Sequence, residues 1–140
     1  MFAVPPAVSV SAEDNVYASG ATSKVSGVFQ KCATGTRQAC VVDGDTIWLS
    51  GQNVRVADID TPEVSEPKCS SELVLGKRAM DRMLELINEG SFDLKGWPAR
   101  DTDRYGRKLR VLVRDGRSLG DVMVSEGLAR AWSGQREPWC

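Results

Sequence analysis

A short acidic stretch, RVADIDTPE, carries side chains that could act on a phosphate. Asp60 and Glu63 supply carboxylates, Thr61 supplies a carbonyl oxygen, and Arg55 supplies a permanent positive charge. Oxygen ligands suit a hard cation such as calcium or magnesium better than zinc. The guanidinium of an arginine matches phosphate oxygens. The stretch is therefore compatible with a cation beside a bound phosphate, and equally with an ordinary acidic surface loop.

The chain contains no histidine. This excludes Ser-His-Asp and Cys-His hydrolysis as well as histidine-bound zinc. Acid-base catalysis would have to use a carboxylate, lysine, tyrosine or cysteine. None of the cysteines forms a C-x-x-C pair, so a zinc cluster is not favoured either.

Charge is distributed unevenly, although the formal net charge is only −1. Residues 43–66 contain six acids and one base, whereas residues 95–117 contain eight bases and three acids. Two opposite local fields suit a cation beside a phosphate, and they also suit two faces that attract each other.

The length and composition are those of a single globular domain, with 140 residues of which 41% are apolar and 26% are charged. No apolar stretch is long enough to span a membrane. We expect a monomer that does not enter a membrane. Residues 1–30 predict a flexible leader, either the remnant of a secretory signal or a tail, and residues 31–140 predict the folded domain.

The four cysteines are Cys32, Cys40, Cys69 and Cys140. Three disulfide pairings are open, as are four reduced thiols. We favour a short loop closed by Cys32–Cys40, with Cys69–Cys140 fixing the C-terminus. Disulfides in a small chain indicate an oxidising compartment, so we expect a secreted or periplasmic protein.

The hydrophobic pattern predicts an α+β fold. Five β-rich runs predict strands, namely ACVVDG, DTIWLS, NVRVADI, SFDLKGW and RKLRVLVRD. Helical spacing follows the third strand, and a second helix is predicted after a capping box formed by Ser118 and Asp121. This order predicts a five-stranded oligonucleotide/oligosaccharide-binding (OB-fold) barrel with two or three packed helices.

The predicted meander brings candidate ligands together. Its first turn and the end of its third strand can meet, so Asp45 and Asp60 could share a cation. Arg55 and Asp60 are an odd number of positions apart, so an unbroken strand would point their side chains to opposite faces of the sheet. For both to serve one site, the strand must bend or end before Asp60.

Three motifs in order, VVDGDTIWL, VRVADIDTPE and DRYGRKLRVLV, followed by LGDVMVSEGLARAW, resemble the staphylococcal nuclease (thermonuclease) family. The resemblance covers residues 40–132. It implies calcium ligands at Asp45, Asp60 and the Thr61 carbonyl. The family glutamate that orients or deprotonates water falls on Glu63. Asp43 matches a family acid near the metal.

The resemblance also implies how substrate is bound. The two catalytic arginines of the family fall on Arg55 and Arg107. Its nucleotide-contacting lysine-tyrosine pair falls on Arg104 and Tyr105, with arginine in place of lysine. The implied reaction is calcium-dependent hydrolysis of DNA and/or RNA that leaves 3′-phosphate ends, with Mg²⁺ or Mn²⁺ as alternative cations.

Two other hypotheses stay open. One is an inactive OB-fold module that binds nucleic acid or protein. The other is a secreted, disulfide-stabilised domain that binds a sugar or peptide, which would leave the basic run unexplained. The sequence also departs from the family: we expect no long C-terminal helix after Trp132, the tyrosine that some members place near Ser133 is missing, and the basic loop near residues 66–68 is short.

Overall fold

The computed structural model describes residues 8–10, 22–98 and 100–140. Its strands and helices, in chain order, are β1 Ser9–Val10, β2 Thr22–Ser26, β3 Gln30–Lys31, β4 Ala39–Asp43, β5 Thr46–Leu49, β6 Gln52–Val56, β7 Ile59–Asp60, α1 Ser70–Asn88, β8 Phe92–Gly96, β9 Lys108–Arg114, β10 Arg117–Ser118, α2 Leu119–Ser125 and β11 Arg130–Ala131.

The strands form one mixed sheet in the order β1-β2-β8-β9-β6-β5-β4-β3, to which β10 adds on β9, and a small second pair, β11-β7. The five predicted strands correspond to β4, β5, β6, β8 and β9. Strands β6 and β9 pair in parallel, with Arg55 opposite Leu109. The curled sheet and its two helices confirm the predicted α+β class and OB fold.

Helix α1 covers one side of the sheet with an apolar face. Ala79, Met83, Leu86 and Ile87 are buried on it and join the sheet residues in one core. Their spacing of three and four residues places them on one helical stripe. The helix thereby fixes the loop that precedes it, which contains Glu63.

Residues 22–30 belong to the fold, so the predicted flexible leader is wrong for this part of the chain. Strand β2 pairs antiparallel with β8, and Val25 and Phe29 are buried in the core. The side-chain amide of Asn88 both accepts from the Phe29 amide at 2.8 Å and donates to its carbonyl at 3.0 Å. The domain therefore starts before residue 31. The rest of the predicted leader, at residues 1–7 and 11–21, lies outside the described residues.

Both favoured disulfides are present. Cys32 and Cys40 are joined with their Cα atoms 4.8 Å apart, and Cys69 and Cys140 with theirs 6.1 Å apart. The second bond ties the end of the chain to the residue that precedes α1.

Helix α2 begins as predicted, with the Ser118 hydroxyl accepting from the Asp121 amide. Gly127, at a φ of 76°, follows its last turn. Within the described part of the chain, no helix has the length and apolar character needed to cross a membrane.

Candidate functional site

In the structure, the turn that contains Asp45 lies against the end of the third predicted strand. The Val56 amide donates to the Asp45 carbonyl at 2.8 Å, and the Thr61 amide donates to the Asp45 carboxylate at 3.1 Å. Strand β6 ends at Val56, and Asp60 lies on the separate short strand β7. This break removes the parity conflict, so Arg55 and Asp60 can face one site.

Four carboxylates form what we call the acidic cluster: Asp43, Asp45, Asp60 and Glu63. They surround the guanidinium of Arg136, which is 3.1 Å from Asp60 Oδ1, 2.9 Å from Glu63 Oε1 and 3.8 Å from Asp45 Oδ2. Asp43 contributes to the same electrostatic field. Arg136 was not predicted as a site residue.

Asp60 is the least satisfied member of the acidic cluster. It is 3% exposed, and no donor among the described residues completes a hydrogen bond to either carboxylate oxygen. The indole N–H of Trp139 faces it closely enough to lower its pKa but does not reach hydrogen-bond geometry. A buried carboxylate is stabilised by a nearby cation, and Arg136 Nη1 lies 3.1 Å from Asp60 Oδ1.

Burial raises the pKa of Asp43, Asp60 and Glu63 above their ordinary values. Repulsion from neighbouring carboxylates adds to this effect, whereas Arg136 opposes it for all three. Perturbed carboxylates that share a charge partner are typical of functional sites.

The acidic cluster fits a hard cation. Asp45 and Asp60 are buried and carry oxygen ligands. Thr61, which is 1% exposed, follows Asp60 in the sequence and donates its amide to the Asp45 carboxylate. Among the residues that the structure describes, no three Asp, Glu, Cys or His side chains form a ready metal cage. The candidate donor set is therefore the two carboxylates of Asp45 and Asp60 and the Thr61 carbonyl.

Glu72 fixes the loop that contains Glu63. Its buried carboxylate accepts from the Glu63 amide at 3.1 Å and from the Lys68 amide at 2.7 Å. Burial opposes ionisation of Glu72, but these amide donors outweigh it and lower its pKa. The Val64 amide is held in turn by Asp43 at 2.9 Å. Glu63 therefore sits on an anchored loop with its own carboxylate partly exposed.

Arg55 lies beneath the acidic cluster and is 5% exposed. Its guanidinium donates to the Val56 carbonyl, lies 3.6 Å from Asp45 Oδ2, and stacks 5.4 Å from the centre of the Trp132 ring. These contacts fix the charge in one orientation.

Arg107 is oriented by Asp103. One carboxylate oxygen accepts from Arg107 Nε at 2.7 Å, and the other accepts from the backbone amides of Tyr105 and Arg107, both at 2.9 Å. Arg107 Nη1 also reaches the Thr46 hydroxyl at 3.4 Å, close to Asp45 in sequence. The β8–β9 loop thus places Arg107 beside the first turn.

A cleft of about 630 Å³ adjoins the acidic cluster. Its lining includes five arginines and one acid, together with three aromatic side chains: Arg55, Arg100, Arg104, Arg107, Arg136, Asp103, Trp97, Tyr105 and Trp132. Tyr105 is 68% exposed and accepts from Arg104 Nη2 at 2.6 Å. Cationic and aromatic surfaces together suit the phosphates and bases of a nucleic acid strand.

The structure thus gathers every predicted site residue around two adjoining features. Asp45, Asp60, Thr61 and Glu63 form or border the acidic cluster, and the four other predicted residues line the cleft. Sequence reasoning missed Arg136 and Glu72. A glutamate three residues after the N-cap, which is Cys69 in α1, is a known capping signal and could have identified Glu72. Arg136 lies in an irregular segment with no such signal.

The fold and this site define a class: an OB-fold protein with a cluster of buried carboxylates beside an arginine-lined cleft. The family model described as staphylococcal nuclease homologue matches residues 53–138, more than half of the chain. The chain belongs to the staphylococcal nuclease family. The matched span includes Arg55, Asp60, Glu63 and Arg107, and Asp45 lies just before it.

Named relatives agree with this assignment. The SPbeta prophage-derived endonuclease YokF of Bacillus subtilis (strain 168) is 39% identical over 93 residues, which cover 64% of this chain and 31% of the relative. Endonuclease YncB of the same strain is 37% identical over 93 residues, covering 64% and 44%. The thermonuclease of Staphylococcus hyicus is 33% identical over 95 residues, covering 65% and 55%. The aligned part is thus between about a third and just over half of each relative.

Proposed function

We propose that this protein is a metal-dependent nuclease that hydrolyses phosphodiester bonds of DNA and/or RNA. The observation that carries the proposal is the meeting of a buried carboxylate pair, Asp45 and Asp60, with the arginine-lined cleft. Membership of a family whose relatives include named endonucleases supports it.

Asp45 and Asp60, with the Thr61 carbonyl, would hold the cation, which we propose is Ca²⁺, with Mg²⁺ or Mn²⁺ as alternatives. When bound, a divalent cation supplies positive charge that stabilises the negative charge developing on the phosphate. The fit rests on the oxygen-donor chemistry and on Asp60, whose buried carboxylate has no hydrogen-bond donor among the described residues and is ion-paired with the partly exposed Arg136.

Arg55 and Arg107 would stabilise the transition state. Both guanidiniums are held by acceptors before substrate arrives, Arg55 by Val56 and Asp45, and Arg107 by Asp103. Charge that is fixed in advance costs little reorganisation during the reaction. Removal of one such group typically costs about 10²–10³ in rate.

Glu63 would take the proton from the attacking water. Its carboxylate is partly exposed, its loop is anchored by Glu72, and its raised pKa brings it closer to that of an effective base. Arg104 and Tyr105 would contact the nucleotide next to the scissile phosphate.

We also propose that the protein is a monomer in a secreted or periplasmic location. The support for the location is that all four cysteines are paired in disulfides, which persist in oxidising compartments.

Cleavage of single-stranded DNA with Ca²⁺ and with a chelator tests the nuclease proposal. We expect calcium-dependent cutting that falls about 10²–10³-fold in Glu63→Gln and in Arg107→Ala. The matched controls are Glu66→Gln, an exposed acid near the same loop, and Arg78→Ala, an exposed arginine on α1. Both controls should keep wild-type activity.

The alternative is an OB-fold module that binds nucleic acid without cutting it. The ion pair between Arg136 and Glu63 favours this alternative, because it engages the expected base. Salt-sensitive DNA binding by folded protein that cuts with none of Ca²⁺, Mg²⁺ or Mn²⁺ would establish the module and exclude the nuclease.

A further inference from the structure

Arg136 contacts three members of the acidic cluster at once, whereas Arg55 reaches only Asp45 among them. Arg136 Nη1 lies 3.1 Å from Asp60 and 2.9 Å from Glu63, and its Nη2 lies 3.8 Å from Asp45. Two of these partners are the proposed metal ligands, and the third is the proposed base. One guanidinium thus spans the ligand pair and the base together.

The segment that carries Arg136 is anchored on both sides. We call residues 132–140 the C-terminal tail. At its start, the Trp132 amide donates to the Asp58 carbonyl at 2.9 Å. At its end, Arg130 donates to the Pro138 carbonyl at 2.9 Å and stacks 3.8 Å from the Trp139 ring, and Cys140 is bonded to Cys69. These anchors hold Arg136 over the acidic cluster.

The charge balance explains why the guanidinium stays there. Asp45 and Asp60 are 1% and 3% exposed, and buried anions are costly without a compensating cation. The Arg136 side chain is 41% exposed, so it can leave toward the cleft that it also lines without breaking the core. A divalent cation and this guanidinium would both be drawn to Asp60, and their charges repel each other.

We propose that Arg136 is a resident competitor for the divalent cation and sets the affinity of the acidic cluster for metal. This inference rests on the cation site of the proposed function. In the metal-free protein Arg136 neutralises the ligands and engages Glu63. Metal binding has to displace it, which weakens the apparent affinity and couples loading of the site to release of the base.

Calorimetric titration of the full chain with Ca²⁺ tests this inference without measuring activity. Arg136→Gln removes the charge, and we expect it to bind Ca²⁺ on the order of tenfold more tightly than the wild type. Arg136→Lys keeps a charge and should stay closer to the wild-type affinity. Arg117→Gln is the matched control for net charge, because Arg117 is exposed and interacts with Glu126, which lies outside the acidic cluster. It should leave the affinity unchanged.

Asp60→Asn should abolish Ca²⁺ binding, which would show that the heat measured in the titration comes from the acidic cluster. Thermal unfolding of each variant confirms that it is folded. Equal affinity of wild type and Arg136→Gln, at a site that Asp60→Asn abolishes, would overturn the inference and leave the proposed function standing. A similar gain in Arg117→Gln would also overturn it, since net charge alone would then account for the effect. If neither protein binds Ca²⁺, Mg²⁺ or Mn²⁺, the cation site itself is absent and both proposals fail.

Discussion

Individual carboxylates in this protein differ because their surroundings differ. Glu63 and Glu72 are nine residues apart, yet burial and neighbouring acids raise the pKa of Glu63, whereas two amide donors lower that of Glu72 despite its burial. The first is thereby suited to take a proton, and the second to hold backbone. The opposite pKa shifts agree with the base proposed at Glu63 and with the backbone contacts of Glu72.

The pKa of Glu63 predicts a specific pH profile. Because only the ionised carboxylate accepts a proton, kcat/KM should fall as the pH drops through a pKa that lies above the ordinary value of 4.5. The measurement is kcat/KM against pH at saturating Ca²⁺. The residual activity of Glu63→Gln should lack this acid limb, and an identical limb in that variant would assign the titration to another group.

Glu72→Gln should destabilise the protein. An amide has one acceptor oxygen, so one of the two backbone donors would lose its partner, at a cost of about 1–3 kcal/mol. Because the folded-state pKa of Glu72 is lowered, its contribution is present above 4.5 and is lost as the pH falls through the folded-state pKa. Urea unfolding of wild type and variant at neutral and acidic pH measures the difference.

The control for this substitution is Glu85→Gln, whose side chain on the same helix is 67% exposed and which should change stability little. A difference between wild type and Glu72→Gln that grew on acidification would contradict the expected role.

Most of the candidate site could be anticipated from the sequence, but Arg136 could not. Arg55, Asp60 and Glu63 lie in one nine-residue stretch, but that pattern fits an acidic surface loop equally well, and their expected roles came from the family resemblance. Arg136 reaches them from the far end of the chain through a disulfide and an irregular tail. Such a contact depends on tertiary structure, and no local periodicity encodes it.

Among the elements, the helix α1 packs unusually close to the loop that bears Glu63. A Cβ on Gly76 would lie 2.8 Å from the Glu63 carbonyl oxygen and 3.0 Å from that of Pro62. Both neighbours are backbone atoms, so neither can move aside without shifting the loop. The absence of a side chain at Gly76 therefore sets where the loop lies.

Gly76→Ala should lower both stability and activity. We expect a loss of about 1–3 kcal/mol from overpacking, together with a fall in kcat because Glu63 would be displaced. Gly90→Ala is the matched control, since its Cβ would meet only Arg114 Nε at 3.9 Å. Urea unfolding and single-stranded DNA cleavage measure the two effects. Wild-type behaviour of Gly76→Ala would show that the loop position is not set here.

Strands with clean alternation were predictable, whereas β2 was not. Its sequence, TSKVS, has one apolar residue, and one of its two buried residues is Ser23. Its place in the sheet comes from pairing with β8 and from the Asn88–Phe29 contacts, which join residues far apart in sequence. Short polar strands of this kind depend on partners rather than on pattern.

At the scale of the whole molecule, the two opposite charge regions are adjoining walls of one site. The acidic cluster and the arginine-lined cleft share Arg136, and Arg55 pairs with Asp45 across their boundary. These ion pairs show arginines in contact with the acidic cluster; a cation beside a phosphate at this place is part of the proposed function. In that proposal the acidic cluster would attract the cation, and the arginine-lined cleft would attract the phosphate beside it.

The two disulfides should contribute unequally to stability. In the chain-entropy model, removal of Cys69–Cys140, with a sequence separation of 71, should cost about 4 kcal/mol, and removal of Cys32–Cys40, with a separation of 8, about 2–3 kcal/mol. Paired cysteine-to-serine variants and urea unfolding measure both. A larger cost for the short loop would contradict this order.

The parallel pairing of β6 with β9 has a kinetic consequence. It joins Val54–Val56 to Lys108–Arg110, so the arginines on either side of the cleft come together only after more than fifty residues have been brought into place. Non-local parallel pairing forms slowly, because the entropy of closing the intervening chain is lost before the contact is gained. A chain in which β6 and β9 have not yet paired would thus not bring Arg55 and Arg107 to the same cleft. After dilution from denaturant, cleavage activity should therefore recover with the final folding step and later than the initial hydrophobic collapse of the chain.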